Sequence, residues 1–244
     1  MSTIEKALAK NRSDKSIETS GENDVKVADT HETQAELNAK DVPSEEIRKS
    51  EGEPDIVLDM EYLSQKGMVD HSAERRIINE EFRTIKRKVI SNVFGPLAKT
   101  LERSNIVMVT SSKPGEGKTF SAVNLALSIA SEQDKTVLLV DADVLRPNVM
   151  KTLGLKNKEG LIEYLLGEKS SVADVMKSTN IPNLKIIGAG KPHRLSNELL
   201  ASEIMQKTID EFSTRYKDRI VIIDTPPLLG INETSVLANL AGQA

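Results

Sequence analysis

Ser111-Ser112-Lys113-Pro114-Gly115-Glu116-Gly117-Lys118-Thr119 is the stretch that decides the fold. An apolar run, Ile106-Val107-Met108-Val109, leads into it, and a helical pattern over 120–130, opened by Phe120, leads out. Strand, glycine-rich turn and helix in that order make a phosphate-binding loop. Gly115 and Gly117 let backbone N–H groups turn inward and approach phosphate oxygens closely. Lys118 adds a point charge, Thr119 sets a hydroxyl where a magnesium ion would sit, and the helix N-terminus brings partial positive charge. Lys113, Pro114, Gly115, Glu116, Gly117, Lys118, Thr119 and Phe120 are the candidate nucleotide-binding set, and a nucleoside triphosphate is the expected ligand. The loop departs from the commonest pattern: Ser112 replaces the first glycine, and Lys113 is an extra lysine five residues before Lys118.

Outward from the loop, short and nearly all-apolar runs recur at Ile106–Val109, 137–140, Leu184–Ile187 and 220–223. Runs of that kind are expected of parallel strands buried on both faces. Helical patterns separate them at 117–131, 159–166, 171–178 and 196–214, with a last one at 232–241. The alternation predicts an α/β fold with a doubly wound parallel sheet. Ligands bind such sheets beyond the C-terminal strand ends. Two further motifs fall there: Val140-Asp141-Ala142-Asp143-Val144-Leu145-Arg146-Pro147 after the second strand, and Ile223-Asp224-Thr225-Pro226-Pro227 after the last. An aspartate at such a place can hold magnesium directly or through water, and a second one can accept the proton of an attacking hydroxyl. Lys118, Asp141, Asp143 and Asp224 are the candidate catalytic residues. Thr119, Asp141 and Asp224 are the candidate metal ligands. Asp143 can instead serve to orient Arg146, and a strand-end aspartate can simply cap a helix.

Charge is unevenly spread. Residues 1–60 hold 15 acidic and 8 basic side chains, net −7, while the whole chain of 244 residues carries 37 and 33, net −4. An acidic segment poor in aromatics reads as disordered. The expected organisation is a short helix over 1–10, a disordered acidic linker over 11–54, a docking segment over 55–72 and a nucleotide-binding domain over 73–244. A helix over 73–92 is expected to turn Ile77, Ile78, Phe82, Ile85, Val89 and Ile90 to one face. The absence of cysteine excludes a disulfide framework and thiolate metal sites. No apolar run reaches the ~20 residues of a membrane-spanning helix, and Met1-Ser2-Thr3-Ile4-Glu5-Lys6-Ala7-Leu8 lacks a signal-peptide core. A cytoplasmic protein that reaches a membrane only through a partner is expected, and nothing suggests nucleic-acid readout.

The ordered set of motifs resembles the bacterial tyrosine kinases of phosphate-loop type that control exopolysaccharide export. It is most similar to the autokinase branch found with exosortase gene clusters. Besides the loop and the two aspartate motifs, the resemblance rests on the first eight residues, on Glu80-Glu81-Phe82-Arg83-Thr84-Ile85-Lys86-Arg87 and on Ser196-Asn197-Glu198-Leu199-Leu200. It implies ATP and Mg2+ as cofactors, with Lys118 and Thr119 on phosphate and metal and Asp141 and Asp224 serving the metal and the acceptor hydroxyl. A transmembrane chain-length or polysaccharide-export regulator is the implied partner, holding the protein at the inner membrane. The family's Glu-x-x-Arg-x-x-Arg helix drives ring assembly. Here it reads Glu80, Arg83 and Lys86, with Arg87 adjacent, so these four are the candidate contacts of a homo-oligomer. Two departures follow from the same comparison. Tyr62, Tyr164 and Tyr216 do not form the family's tyrosine-rich tail. The chain also stops where the family's next strand would begin, so the domain is expected to be incomplete at its C-terminus, with a bare strand edge beside the loop strand. Two other functions fit the motifs: a partition-type dimerising ATPase, in which Lys113 would reach across a dimer, and a non-catalytic interaction module.

Overall fold

The computed structural model describes residues 52–70, 76–96 and 98–244. The expected helix over 1–10 and nearly all of the linker over 11–54 lie outside them. Within Glu51–Ala244, a single compact unit, the strands among the described residues are β1 (Ile106–Val109), β2 (Thr136–Asp141), β3 (Lys177–Ser178), β4 (Leu184–Ile187) and β5 (Arg219–Asp224). They form one sheet in the order β1-β5-β2-β4-β3. The first four strands in that order make three parallel pairs, and β3 is an antiparallel edge against β4. β5 lies inside the sheet and all six of its residues are buried.

Strand side chains alternate between two apolar clusters, as the twofold repeat of a strand requires. Val107, Val137, Leu139, Ile220 and Ile222 join one cluster. Ile106, Met108, Leu138, Val140, Val221 and Ile223 join the other. The first is covered by α2 (Ile77–Phe94) and α3 (Lys118–Ala130), and α1 (Met60–Gln65) brings Leu63 to it. The second is covered by α5 (Leu161–Leu165), α6 (Ser196–Leu200), α7 (Glu203–Arg215) and α8 (Asn232–Ala238). Two-sided burial explains the continuous apolar runs in the sequence.

Residues 55–70 are tied to the sheet by polar contacts as well as by packing. Ile56 bridges Thr179, Leu58 N donates to Asn180 Oδ1 at 2.8 Å, and Val69 N donates to Asn124 Oδ1 at 2.6 Å. Leu58, Leu63, Met68 and Val69 are buried.

Four local expectations are corrected. The helix over 171–178 is a short 3-10 turn, Val172–Asp174, followed by β3, because Ser171 and Asp174 cap each other and close the turn. The helix over 196–214 is two helices, because Ser202 is extended and its hydroxyl accepts from Met205 N to start α7 afresh. On α2, Ile77 and Ile85 face solvent at 79% and 45% exposure. The inward position is taken by Lys86, whose ammonium pairs with Glu132 Oε1 at 2.6 Å and bonds Ser131 Oγ at 3.2 Å. Finally, the outer edge of β1 is not bare throughout: Val107 bridges Gln243, and Met108 N donates to Gln243 O at 2.8 Å.

The register of the sheet positions the site. Val109 and Asp141 lie across from Asp224 on its two sides. The phosphate loop and both aspartate motifs therefore leave the sheet at one level.

Candidate active site

The phosphate loop turns back on itself at Gly115 (φ 86°) and Gly117 (φ 91°), both in the left-handed region that a side chain would strain. Gly117 caps α3, and Lys118 is the first helical residue. Glu116 Oε2 accepts from Lys113 N at 3.0 Å, and Ser111 Oγ donates to Lys113 O at 2.8 Å. Glu116 thus shapes the loop from within. The loop is also fastened to the segment after β5: Leu228 N donates to Ser111 O, Leu229 N to Ser112 O and Thr110 Oγ1 to Pro226 O.

At the base of the loop the Lys118 ammonium, almost fully buried, lies 2.6 Å from Asp143 Oδ2 and 3.5 Å from Asp224 Oδ1. Thr119 Oγ1 donates to Asp224 Oδ2 at 2.6 Å. Asp224 Oδ1 has no hydrogen-bond partner, although the residue is fully buried. Burial pushes the Asp224 carboxyl up to about 6 against the opposing pull of Lys118 and the Thr119 hydroxyl. That oxygen is met only by the Lys118 ammonium at 3.5 Å, and a buried carboxylate oxygen so loosely paired is costly unless something else completes it.

Asp141 is as deeply buried but engaged differently. Its Oδ1 accepts from Asp143 N at 3.1 Å, and its Oδ2 accepts from Asn148 N and Val149 N at 3.2 and 3.0 Å. It therefore fastens the loop that carries Asp143 and starts the short helix α4 (Val149–Thr152). Burial first, and then the charge of Asp224, raise it to about 7. Asp143 spends its other oxygen on Arg146 N at 3.0 Å.

These groups open into a cleft of about 450 Å³ lined by Pro114, Gly115, Gly117, Lys118, Thr119, Phe120, Asp143, Leu145, Arg146, Asn148, Thr152, Pro227, Leu229 and Ile231. Most of the expected nucleotide-binding residues face it. Lys113, Glu116, Asp141 and Asp224 are not among its lining residues, the last two lying behind Asp143 and Thr119. Asn148, Thr152, Leu229 and Ile231 were not singled out from sequence. Their signal was only that they follow the strand-end aspartates. Outside the lining of this cleft, Glu80 and Arg83 form an exposed pair at 3.2 Å and Arg87 is exposed. Lys86 does not share that surface.

Among the described residues no cluster of three or more carboxylate and histidine side chains could hold a metal ion alone. A cation here would need oxygens from a bound phosphate, which suits Mg2+, an ion that usually keeps few protein ligands. Asp224 Oδ1, which lacks a hydrogen bond, and the Thr119 hydroxyl fit such an ion.

Sheet order, glycine loop and the lysine it delivers define a phosphate-loop nucleotide-binding domain. A family model described as an AAA domain matches residues 104–240, more than half of the chain. The chain is 33% identical over 177 residues to the tyrosine-protein kinase YwqD of Bacillus subtilis, covering 72% of itself and 70% of that relative. It is 36% identical over 140 residues to the tyrosine-protein kinase Wzc of Salmonella typhimurium, of which it spans only 19%. Among solved structures it is similar to the kinase domain of the Escherichia coli tyrosine kinase ETK, with a TM-score of 0.59 and 25% identity over 76% of this chain and 73% of that one. The chain belongs to the AAA-domain family and, within it, to the bacterial tyrosine kinases. Among the described residues no helix is long and apolar enough to cross a membrane.

Proposed function

We propose that this domain is an ATP-dependent protein-tyrosine autokinase of the exosortase-associated branch, acting in exopolysaccharide synthesis or export. The observation that carries the reading is the unfinished charge cluster at the floor of the cleft. Lys118 is held between Asp143 and Asp224, and Asp224 keeps one buried oxygen without a hydrogen bond. A polyphosphate would give that lysine a stronger anion and bring the further oxygen ligands that a metal ion on Asp224 needs.

Lys118 and the backbone N–H groups at Gly115 and Gly117 bind and orient the terminal phosphates. Thr119 and Asp224 would hold Mg2+, and that ion would supply charge neutralisation at the phosphate oxygens. Asp143 faces the cleft and takes the proton of the acceptor hydroxyl, while Asp141 secures the loop behind it. Transfer is then a matter of positioning and fixed charge. A transmembrane chain-length regulator supplies the membrane link of a cytoplasmic chain, and the exposed Glu80, Arg83 and Arg87 face of α2 supports a homo-oligomer.

The deciding experiment incubates the full chain with labelled ATP and Mg2+. Phosphotyrosine that disappears in Asp224→Asn supports the kinase. Free phosphate without phosphotyrosine makes the domain a hydrolysing switch, and failure to bind nucleotide leaves an interaction module.

A further inference from the structure

At the other end of β5 lies a second cationic arrangement around a tyrosine. Tyr216 is the C-terminal cap of α7, and the turn from Tyr216 to β5 is exposed at Lys217. Of the chain's three tyrosines, Tyr62 and Tyr164 pack against the two apolar clusters. Tyr216 belongs to neither and is half-buried. Its ring lies against the guanidinium of Arg219, whose Cζ is 3.7 Å from the ring centroid, and the Arg215 Cζ is 5.6 Å away.

Arg219 is 5% exposed, and its Nε finds no hydrogen-bond partner. Burial pushes its guanidinium below its usual range, opposed by the Tyr216 side chain and Asp218. Arg215 is exposed and pairs with Glu211 one helical turn away. Two guanidinium groups, one desolvated and incompletely bonded, thus flank one tyrosine. A phosphoryl group would bring about −1.5 to −2 charge and three acceptor oxygens to this place. Planar guanidinium forks match such oxygens better than any other side chain.

We propose that Tyr216 is a phosphate acceptor of this domain, and that Arg215 and Arg219 hold the phosphoryl group once it is attached. The inference rests on the kinase reading above. The bond from Tyr216 Oη to the γ-phosphorus forms, and the bond from that phosphorus to the β,γ-bridging oxygen breaks. ADP leaves with the electron pair, and the hydroxyl proton passes to a carboxylate of the donor site. The donor is another copy of the chain, because Tyr216 precedes the N-terminal end of β5 whereas the cleft lies at its C-terminal end, about 17 Å along the strand.

The full chain is incubated with ATP and Mg2+, and phosphate is mapped by peptide mass spectrometry. Transfer to a tyrosine-containing polymer is followed in parallel. Phosphate on the Tyr216 peptide is expected in the wild type. Tyr216→Phe should lose it while transferring to the polymer within about twofold of the wild-type rate, since Tyr216 lies outside the cleft. Arg215→Ala should speed phosphatase removal of that phosphate by about fivefold or more, by freeing it from one charge-assisted contact. Transfer to the polymer with no phosphate on Tyr216 overturns the proposal and leaves the kinase standing. An unchanged removal rate in Arg215→Ala overturns the holding role. No transfer to either substrate overturns the kinase reading and this inference together.

Discussion

Lys86 and Lys118 are both buried, and the difference between them separates scaffold from site. Lys86 reaches from α2 to Glu132 and Ser131 just past α3, so its charge is met within its own domain. Lys118 ends on two carboxylates, one of which meets it only at 3.5 Å and without a hydrogen bond, and the whole cluster opens into a cleft. A buried charge that is fully answered secures a fold. A buried charge in an excess of opposite sign waits for a ligand.

Replacing the two lysines tests that contrast most directly. Lys118→Ala should reduce phosphotyrosine formation by about 100-fold or more, measured with labelled ATP, because the terminal phosphate loses its main point charge. The fold should survive by circular dichroism, since Asp224, already raised to about 6, can take up a proton in place of the ammonium. Lys86→Met should do the reverse: lower unfolding stability by about 1–2 kcal/mol in urea titration, and leave turnover per folded molecule intact. If Lys86→Met abolished turnover without loss of stability, the division between scaffold and site would be wrong.

The carboxyl groups sharpen the comparison through pH. Asp141 and Asp224 are raised from an ordinary value of 3.8 to about 7 and about 6. A carboxyl raised in the folded state holds its proton more tightly there than in the unfolded chain. It stabilises the fold below about pH 4, and that contribution is lost as pH rises through the folded values. The ligand-free protein should therefore melt higher at pH 5 than at pH 7.5, by about 3 °C for each ~1 kcal/mol in a domain of this size. Asp224→Asn should flatten the slope. A melting temperature independent of pH would show that the cluster is already neutralised.

The smallest effect on folding is expected on the outer face of α2. Arg83→Ala removes an exposed pair worth at most ~1 kcal/mol, so melting should not move. If this face assembles copies of the chain, light scattering should nevertheless report a smaller species. An unchanged size would leave α2 with a packing role alone.

The parts of this molecule that the sequence declared most plainly are those with a repeated physical signature. Strands buried on both faces write uninterrupted apolar runs, and the phosphate loop writes its glycines where the backbone is left-handed. Elements set by a single local contact were less legible. Ser202 interrupts what reads as one helix, and the cap made by Ser171 and Asp174 turns a helical pattern into a turn and an edge strand. Apolar periodicity set Ile85 inside and Lys86 outside, because it could not anticipate a carboxylate from the end of α3 waiting for that ammonium. Within the site, the structure brings together Lys118, Thr119 and Asp224, which the sequence placed at the loop and at a strand end. Spacing could not tell that Asp141 would face backbone amides while Asp143 faced the cleft. That distinction depends on how the eight-residue stretch from Asp141 to Asn148 folds back on itself.

The fastening of the phosphate loop has a mechanical consequence. Ser111 and Ser112 lend their carbonyls to Leu228 and Leu229, and Thr234 on α8 bonds the carbonyls of Pro226 and Pro227. Leu228, Leu229 and Val236 present exposed side chains along this route. A loop that reshapes around an incoming anion must drag this strap or break from it. Amide exchange at Leu228, which does not line the cleft, would then register its filling, like a needle on a dial driven from behind the face.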